Sequence, residues 1–577
     1  MNSRRIVLAG GLALSLAALA AGCGTTTSAA NGTPAVKAVN GGTIVYALPP
    51  QTNINWYLPI VNSGYDSLYN FQLINQLYMP LLYINSKYAI DYKDSIASKV
   101  TYNTAGTVYH VFMNPKWKWS NGQPVTTKDV LFTWNVIQAT SAKNAPSPWP
   151  WVGAGSGDMP NGVKSVVANS KYEFTVTLKQ PANQEWYIYN GLSALSPMPS
   201  AAWNKYPNNI TQEIKYLGQN GTNPHFDTVV DGAYKLQSAT SSQSWTIVPN
   251  PSFPGQKAHA KIVFAYQGSN ASEFAALKTG TVQVGYVDLS EWGARGELTG
   301  DNLFTNYPFD YQDIELNMHS NAQGGLGPVF NQLYVRQALE MAINQNAINK
   351  AVYHGVGPAQ YGPIPTVPKT IYLDPKLTKP IYAYNLKKAK ALLTSHGWKE
   401  KGGVMTNSKG QKLAFTLMYS SGNASTDAQM ALIQQEWGQI GVKITLKPTP
   451  FASLIGIIDS NANAPKWDAA GGLGIIYGGS YPTGHTLFGT GGGLNQFGYS
   501  SPKENALITA THKPWPNQQV NLQHFFAYEY YTSQQLPNLW VNQVGTINAV
   551  AKNVHNVAQY SNALTGYPLM NYWWIGK

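Results

Sequence analysis

The chain has 577 residues, a formal net charge of +12 at pH 7 and only 11% charged residues, against ~25% in a typical soluble protein. Its single cysteine excludes an internal disulfide and a cysteine-based metal or iron–sulfur site. Lys and Arg are scattered and form no dense basic run, so the positive charge does not indicate a nucleic-acid partner. The length is too great for one hydrophobic core and predicts at least two domains.

The N-terminal residues 1–22 have the order of a secretory signal peptide. Arg4 and Arg5 precede an apolar run over residues 6–19, which is shorter than the ~20 residues needed to span a bilayer. Ala-Ala-Gly-Cys at the end resembles the lipobox of bacterial lipoproteins, with Ala20 where that motif usually has Leu. The resemblance implies a diacylglyceryl group on Cys23, followed by a flexible, Thr-, Ser-, Ala- and Gly-rich tether over residues 23–41. An ordinary signal peptide with an incidental cysteine is the alternative.

The first predicted elements of the mature chain are a strand and a helix. Residues 43–48 alternate in polarity as a strand does, and Pro49 and Pro50 are expected to end it. Residues 69–78 have helical spacing, and Pro80 breaks the pattern.

A second strand and helix follow around an Asn-Gly turn. The segment "TVYHVFMNP" alternates as a strand, "WSNGQP" predicts a turn, and "TTKDVLFTWNVIQAT" predicts a helix. Thr127 is the predicted N-cap, and Asp129 lies in the first turn, where a carboxylate is favoured.

At this point the sequence resembles a known family. The segment "VYHVFMNPKWKWSNGQPVTTKDVLFTW" is similar to the signature of the family 5 extracytoplasmic solute-binding proteins, receptors for peptides, nickel and some sugars that serve ABC importers. The matching positions are Trp119, Gly122, Pro124, Thr126, Asp129 and Val130. Four later segments follow in the order found in that family: "VVDGAYKLQSATSSQSWTIVPNPSF", "FAALKTGTVQVGYVD", "LYVRQALEMAINQNAINKAVYHGVG" and "YNLKKAKALLTSHGW".

The resemblance implies an α/β fold of the periplasmic-binding-protein type (type II, cluster C). Two lobes with mixed β-sheets flanked by helices are joined by a hinge, and lobe I carries an extra subdomain. The implied domains are lobe Ia (42–82, 228–304 and a C-terminal tail, 548–577), the extra subdomain, lobe Ib (83–227), and lobe II (305–547). Most signature residues are expected to be structural, including Asn121-Gly122, Asp129 and a buried Arg336.

The predicted binding site lies in the cleft between the lobes. Peptide-binding relatives often carry an Asp-Tyr-x-Asp-Pro motif after the segment that reads "KWDAAGGLGI" here, and an aspartate of that motif pairs with the α-ammonium group of the peptide. This chain has Gly479 and Ser480 there, so either another acid, with Asp468 a weak candidate, supplies the partner, or the ligand is not held by a free N-terminus. The predicted ligand-binding residues are Asn53, Trp56, Asn317, Tyr477, Gly479, Ser480, Tyr481, Asn495 and Tyr499.

These aromatic and amide side chains suit peptide backbone and apolar side chains, and they suit sugar rings equally. The predicted function is therefore that of a substrate-binding component of an ABC importer for an oligopeptide- or dipeptide-like ligand. An oligosaccharide receptor of the same fold and a secreted hydrolase are the alternatives. No His-Glu-x-x-His or Gly-x-Ser-x-Gly motif occurs, so we expect no enzyme activity, no metal and no cofactor.

The predicted partners are the small ligand, the permease subunits of the importer and the membrane, reached through the lipid on Cys23. We expect a monomer without a nucleic-acid partner, exported and anchored on the outer face of the cytoplasmic membrane. Because carboxylates are scarce, 27 in all, and acid removes the stabilisation that ionised carboxylates provide, the composition favours a source that lives in acid.

Overall fold

The computed structural model describes residues 37–226, 229–458 and 461–576. The predicted signal peptide, Cys23 and most of the predicted tether lie outside the described residues. The fold begins before the predicted end of the tether at residue 41, because Ala38–Val39 pairs antiparallel with Trp574–Gly576. From Ala38 onward the chain forms one contact unit.

The largest sheet has seven strands and draws on both ends of the chain. Thr43–Pro50 lies in its centre and pairs in parallel with Lys261–Gln267. The strands in spatial order are Asp301–Asn306, Thr546–Ala551, Val284–Val287, Thr43–Pro50, Lys261–Gln267, Ser244–Pro249 and Tyr234–Thr240. We call the body around this sheet lobe I.

A five-stranded sheet organises lobe II. Its order is Lys443–Thr449, Ala414–Ser420, Ala469–Ile476, Asp310–Leu316 and Asn538–Val541. A four-stranded antiparallel sheet forms the subdomain between the two lobe I segments, in the order Ala97–Tyr102, Val108–Met113, Glu173–Leu178 and Val163–Ser170. The small sheets consist of Ala38–Val39, Trp574–Gly576 and Val554–His555, and of Lys399–Lys401 and Val404–Thr406.

Helices flank these sheets. The α-helices are Leu68–Leu77, Thr127–Thr140, Gln184–Asn190, Ser200–Trp203, Ile210–Asn220, Asn270–Lys278, Gly327–Phe330, Leu333–Glu340, Gln345–Ala351, Leu386–Ser395, Ala424–Gln439, Phe451–Ile458, His485–Phe488, Pro502–Thr511, Gln518–Gln535 and Val557–Tyr560. Short 3₁₀ helices cover Ser63–Tyr65, Tyr92–Asp94, Ser156–Asp158, Leu192–Ala194, Leu289–Glu297, Gln323–Gly325, Pro375–Thr378, Asn461–Lys466 and Met570–Tyr572. None of the described helices combines the length and the apolarity that a bilayer span requires.

The early predicted elements are present with small shifts. The first strand extends through both prolines to Pro50, because a register irregularity between Ala47 and Pro50 accommodates them. The first helix begins at Leu68, with the Ser67 hydroxyl accepting from the Tyr69 N–H, and ends at Leu77. The N-cap of the second helix is Thr126, not the predicted Thr127.

The signature residues have the structural roles expected of them. The buried Asp129 accepts the Thr126 N–H at 2.8 Å and the Ser200 hydroxyl at 2.7 Å. Buried Arg336 donates to two main-chain carbonyls, Phe330 O at 2.7 Å and Gln535 O at 3.0 Å. These contacts tie helices to neighbouring loops and leave neither side chain facing the space between the lobes.

Two predicted domain boundaries fall inside strands. The boundary at 304/305 cuts Asp301–Asn306, and the one at 547/548 cuts Thr546–Ala551; these two strands pair with each other in the seven-stranded sheet. The chain crosses between the lobes at residues 307–309 and 542–545 instead. The other predicted boundaries stay predictions.

Candidate ligand-binding cleft

Two short crossings join the lobes and form the hinge. Each crossing joins one strand of an antiparallel pair in the seven-stranded sheet to one strand of an antiparallel pair in the five-stranded sheet. Gln543 holds the crossings together, since its amide donates to Pro308 O at 2.7 Å and to Asp310 Oδ1 at 2.6 Å. Burial raises the pKa of Asp310 to about 7. Two crossings close together permit rotation of one lobe against the other.

Three cavities lie along helix Leu68–Leu77, and each is also lined by at least one residue of lobe II within residues 476–480. The first chamber, of about 320 Å³, lies between helix Leu68–Leu77 of lobe I and the subdomain. The second chamber, of about 150 Å³, shares Asn75, Ser193, Ser480 and Tyr567 with the first. The third chamber, of about 210 Å³, reaches the hinge at Asn306, Pro308 and Thr546. The first two chambers form one cleft through their shared residues, and the third lies beside them, lined by Gly566 and Pro568, the chain neighbours of Tyr567.

Lobe II contributes the turn that follows strand Ala469–Ile476. Tyr477 donates its N–H to Phe309 O at the hinge, and Ser480 donates back to Tyr477 O. Gly478 and Gly479 have φ of 59° and 87°, which glycine adopts without strain. A Cβ on Gly479 would lie 3.0 Å from Thr565 Cγ2 of the lobe I tail. Glycines therefore let this turn approach lobe I closely and line the cleft.

The sequence-predicted residues divide into two groups. Gly479 and Ser480 line the chambers. Tyr477 and Tyr481 flank them, but their side chains point away from the chambers: the Tyr477 hydroxyl donates to Pro363 O at 2.8 Å, and Tyr481 packs on Tyr372 and Phe525.

The remaining predicted residues are placed elsewhere, with their polar groups in use. Asn317 donates to Ala464 O and Trp467 O within lobe II. Asn495 and Tyr499 bind each other through Asn495 Nδ2–Tyr499 O and Tyr499 N–Asn495 Oδ1. Asn53 accepts from Ser242 N, and the indole of the buried Trp56 donates to Leu58 O and Ile60 O. Contact of these residues with a ligand stays a prediction. It would require each of them to give up hydrogen bonds that it already makes.

The side chains that dominate the lining were not predicted. They are Phe71, Ile74, Asn75, Tyr78, Thr133, Trp151, Ser193 and Tyr567. One signal was available: Phe71, Ile74, Asn75 and Tyr78 follow i, i+3, i+4, i+7 spacing and share one face of a predicted helix. Tyr567, in the C-terminal tail, carried no such pattern, because its place in the cleft depends on the return of the tail to lobe I.

Asp468, the weak candidate for the missing carboxylate, lies far from this cleft. It precedes the first residue of strand Ala469–Ile476, whereas the cleft lies beyond the last, and eight residues of strand span roughly 26 Å. Its Oδ2 accepts from Thr416 N inside lobe II. Asp468 therefore does not replace a carboxylate at the Gly479–Ser480 turn.

On one side of the cleft the subdomain touches lobe II directly, through helix Gln184–Asn190 and its cap. Asn183 donates through Nδ2 to Thr511 O at 2.8 Å and through its main-chain N–H to His512 O at 2.7 Å. Asn190 pairs with both main-chain groups of Tyr481, accepting from N at 2.7 Å and donating to O at 3.1 Å. The Trp186 ring stacks on His512 at 4.2 Å. We call these the bridging contacts.

The bridging contacts are made by uncharged groups. Burial, and to a lesser extent the neighbouring His485, lower the pKa of His512 to about 3, so the imidazole against Trp186 is neutral. Its Nε2 lies 2.7 Å from the Thr483 hydroxyl. Because Tyr481 follows Ser480, the Asn190 pair also fixes the turn that lines the first two chambers.

Comparison with known proteins decides the family. Residues 91–495 match the model for bacterial extracellular solute-binding proteins, family 5. The chain belongs to this family. Among curated relatives of this family 5 protein, the oligopeptide-binding protein AppA of Bacillus subtilis is 23% identical over 68% of this chain and 67% of its own length. The dipeptide-binding protein of Lactococcus lactis is 27% identical over 73% and 75%.

Solved structures share the fold of this family 5 protein. AppA of Bacillus subtilis, in complex with a nonapeptide, covers 94% of this chain and all of its own, with a TM-score of 0.74 and 19% identity. NikZ of Campylobacter jejuni, in complex with Ni(L-His), covers 92% of this chain and 99% of its own, with a TM-score of 0.71 and 18% identity. The two-lobed expectation is thereby confirmed, while proteins of this fold hold chemically different ligands.

Proposed function

We propose that this protein is the extracytoplasmic substrate-binding component of an ABC importer for peptide-like ligands. The observation that carries the proposal is the elongated, aromatic and amide-lined cleft between two hinged lobes, in a chain whose curated relatives are named for oligopeptide and dipeptide binding. The ligand enters the open cleft, contacts both lobes, and stabilises the closed form that is delivered to the permease. No covalent step is part of this cycle, and the protein acts as a monomer.

The experiment is the mass spectrum of small molecules released when the purified full-length protein is denatured. We expect peptide masses. A hexose series would favour the oligosaccharide alternative and contradict the proposal. Incubation with the recovered peptides should leave them intact; their cleavage by the protein would instead support a hydrolase.

We also propose that the protein is exported and anchored by a lipid on Cys23 at the outer face of the cytoplasmic membrane. The support is the order of charge, apolar run and small residues before Cys23. Cys23→Ser should release an intact, ligand-binding protein into the medium, whereas Ser28→Ala, five residues further on, should leave it in the membrane fraction. Membrane retention of Cys23→Ser would contradict the anchor.

A further inference from the structure

The lining of the three chambers is uncharged, whereas Glu185 lines a separate cavity between the subdomain and lobe II. Within the described residues, the three chambers are bounded by aliphatic, aromatic, proline, glycine, amide and hydroxyl residues, with no Asp, Glu, Lys, Arg or His among them. A buried ammonium or carboxylate loses its hydration and costs several kcal/mol unless an opposite charge or several hydrogen bonds replace the water. These chambers provide no opposite charge for either end of a peptide.

Carboxylates near the lining tyrosines are either engaged or turned to solvent. Glu185, close to Tyr189, accepts from Gln518 Nε2 at 2.9 Å. Asp94, close to Tyr83, accepts from the Tyr572 hydroxyl at 3.2 Å. Asp66, close to Tyr567, is exposed to solvent. Burial also raises the pKa of Tyr83 and Tyr567 above the usual range for a phenol, so these side chains carry no charge either.

The neutral polar groups that remain suit amides. The Tyr78 hydroxyl is buried, has no partner within the described residues, and belongs to the lining of the first chamber. Ser480 and Asn75 each line the first two chambers. Hydroxyls and amides both donate and accept, which matches peptide N–H and C=O groups, and the surrounding Phe71, Ile74 and Trp151 bury apolar side chains.

We propose that the part of the ligand inside the three chambers carries no formal charge: it is a peptide segment whose α-amine is blocked or cyclised, with apolar or aromatic side chains. This rests on the proposed function, because it assumes that the cleft is the ligand site. In this proposal, the uncharged lining around Ser480 is what disfavours a peptide with a free N-terminus.

The first test compares two matched peptides with the full-length protein in detergent at pH 7. Acetyl-Leu-Phe-Ala-Leu-amide and Leu-Phe-Ala-Leu-amide differ only at the N-terminus, which is a neutral acetyl amide in the first and a charged ammonium group in the second. We expect isothermal titration to show at least tenfold tighter binding of the acetylated peptide. Equal or tighter binding of the free amine would overturn this inference and leave the proposed function standing. Binding of neither peptide would count against both.

The second test adds the missing charge. Ser480→Asp places a carboxylate in the first two chambers, and Ser480→Asn is the neutral control of nearly equal size. Relative to the control, Ser480→Asp should shift the preference between the two peptides at least tenfold towards the free amine. An unchanged preference, with both variants folded by circular dichroism and binding one of the peptides, would overturn the assignment to this turn.

Discussion

The two sides of the space between the lobes differ in what fills them. On the side of helix Gln184–Asn190, the subdomain and lobe II touch through the bridging contacts, and the start of that helix also borders a cavity of about 300 Å³ that Glu185 lines together with Gln518 of lobe II. On the side of helix Leu68–Leu77, lobe I, its subdomain and the lobe II residues 476–480 enclose three chambers with an uncharged lining. The bridging contacts would thus stabilise the closed form, and the lining of the chambers would bind the ligand. The Tyr477–Tyr481 turn belongs to both sets of residues. Changes to one side should be separable from changes to the other.

Filling the chambers should have the largest effect. Ser193 lines the first two chambers, and its hydroxyl donates to Tyr189 O at 2.6 Å. Ser193→Trp should place an indole where the ligand lies and reduce affinity at least 100-fold, while the melting temperature of the free protein changes little. The matched control, Ser193→Ala, removes the hydroxyl alone and should bind within about threefold of the wild type. Wild-type affinity in Ser193→Trp would show that the ligand lies elsewhere.

Removing a bridging contact should have an intermediate effect. Asn190→Ala loses two hydrogen bonds across the lobes, each worth about 1 kcal/mol, so ligand affinity should fall roughly tenfold to thirtyfold. Small-angle scattering should show a larger radius of gyration for the ligand-bound variant. Asn169→Ala, which loses hydrogen bonds only within the subdomain, is the control. The separation of closure from recognition would be wrong if Asn190→Ala lowered affinity without changing the closed fraction.

The smallest effect concerns stability and pH. Glu340 of lobe II is buried, accepts the Trp540 N–H at 3.0 Å, and has its pKa raised to about 8 by burial. A raised pKa in the fold contributes stability that is fully present below the unfolded value of about 4.3 and lost as pH rises through 8. The change in melting temperature caused by Glu340→Gln should therefore be more positive at pH 8 than at pH 5, by roughly 1–3 °C. Glu400→Gln, at an exposed ion pair with Lys390, should show no such difference.

Several other buried acids should also contribute stability that is lost as the pH rises. Burial raises the pKa of Glu273 to about 8 and of Asp310 and Glu504 to about 7. The wild-type melting temperature should thus increase as pH falls from 8 to 5. A melting temperature that decreases over this range would contradict the expectation of a protein suited to an acidic exterior, which the scarcity of carboxylates first suggested.

Much of the fold could be predicted because its signals are local. The alternation of residues 43–48, the Asn-Gly turn and the Asp129 cap each depend on near neighbours, and the structure differs by a residue or two, as at Thr126. The family motifs supplied the two lobes. The binding site was harder to predict, because aromatic and amide residues are common throughout this chain. Many of them are buried in the core, as Trp56 and Asn317 are.

The lining could not be predicted from any one segment. It is assembled from helix Leu68–Leu77, the subdomain, the Gly478–Gly479 turn and a tail nearly 500 positions after the helix, whose proximity is seen in the Gln72 Nε2–Gly566 O bond at 2.8 Å. Gly479 and Ser480 were predictable only because a motif marked their place. Tyr567 required knowledge of where the tail returns.

A crystal structure of the protein with acetyl-Leu-Phe-Ala-Leu-amide tests the central claim most directly. We expect peptide density through the chambers between Tyr567 and the Gly479–Ser480 turn, no charged side chain within 4 Å of it, and the bridging contacts at Asn183 and Asn190 intact. Density for the peptide outside these chambers, or an acidic side chain moved in to meet it, would contradict the account.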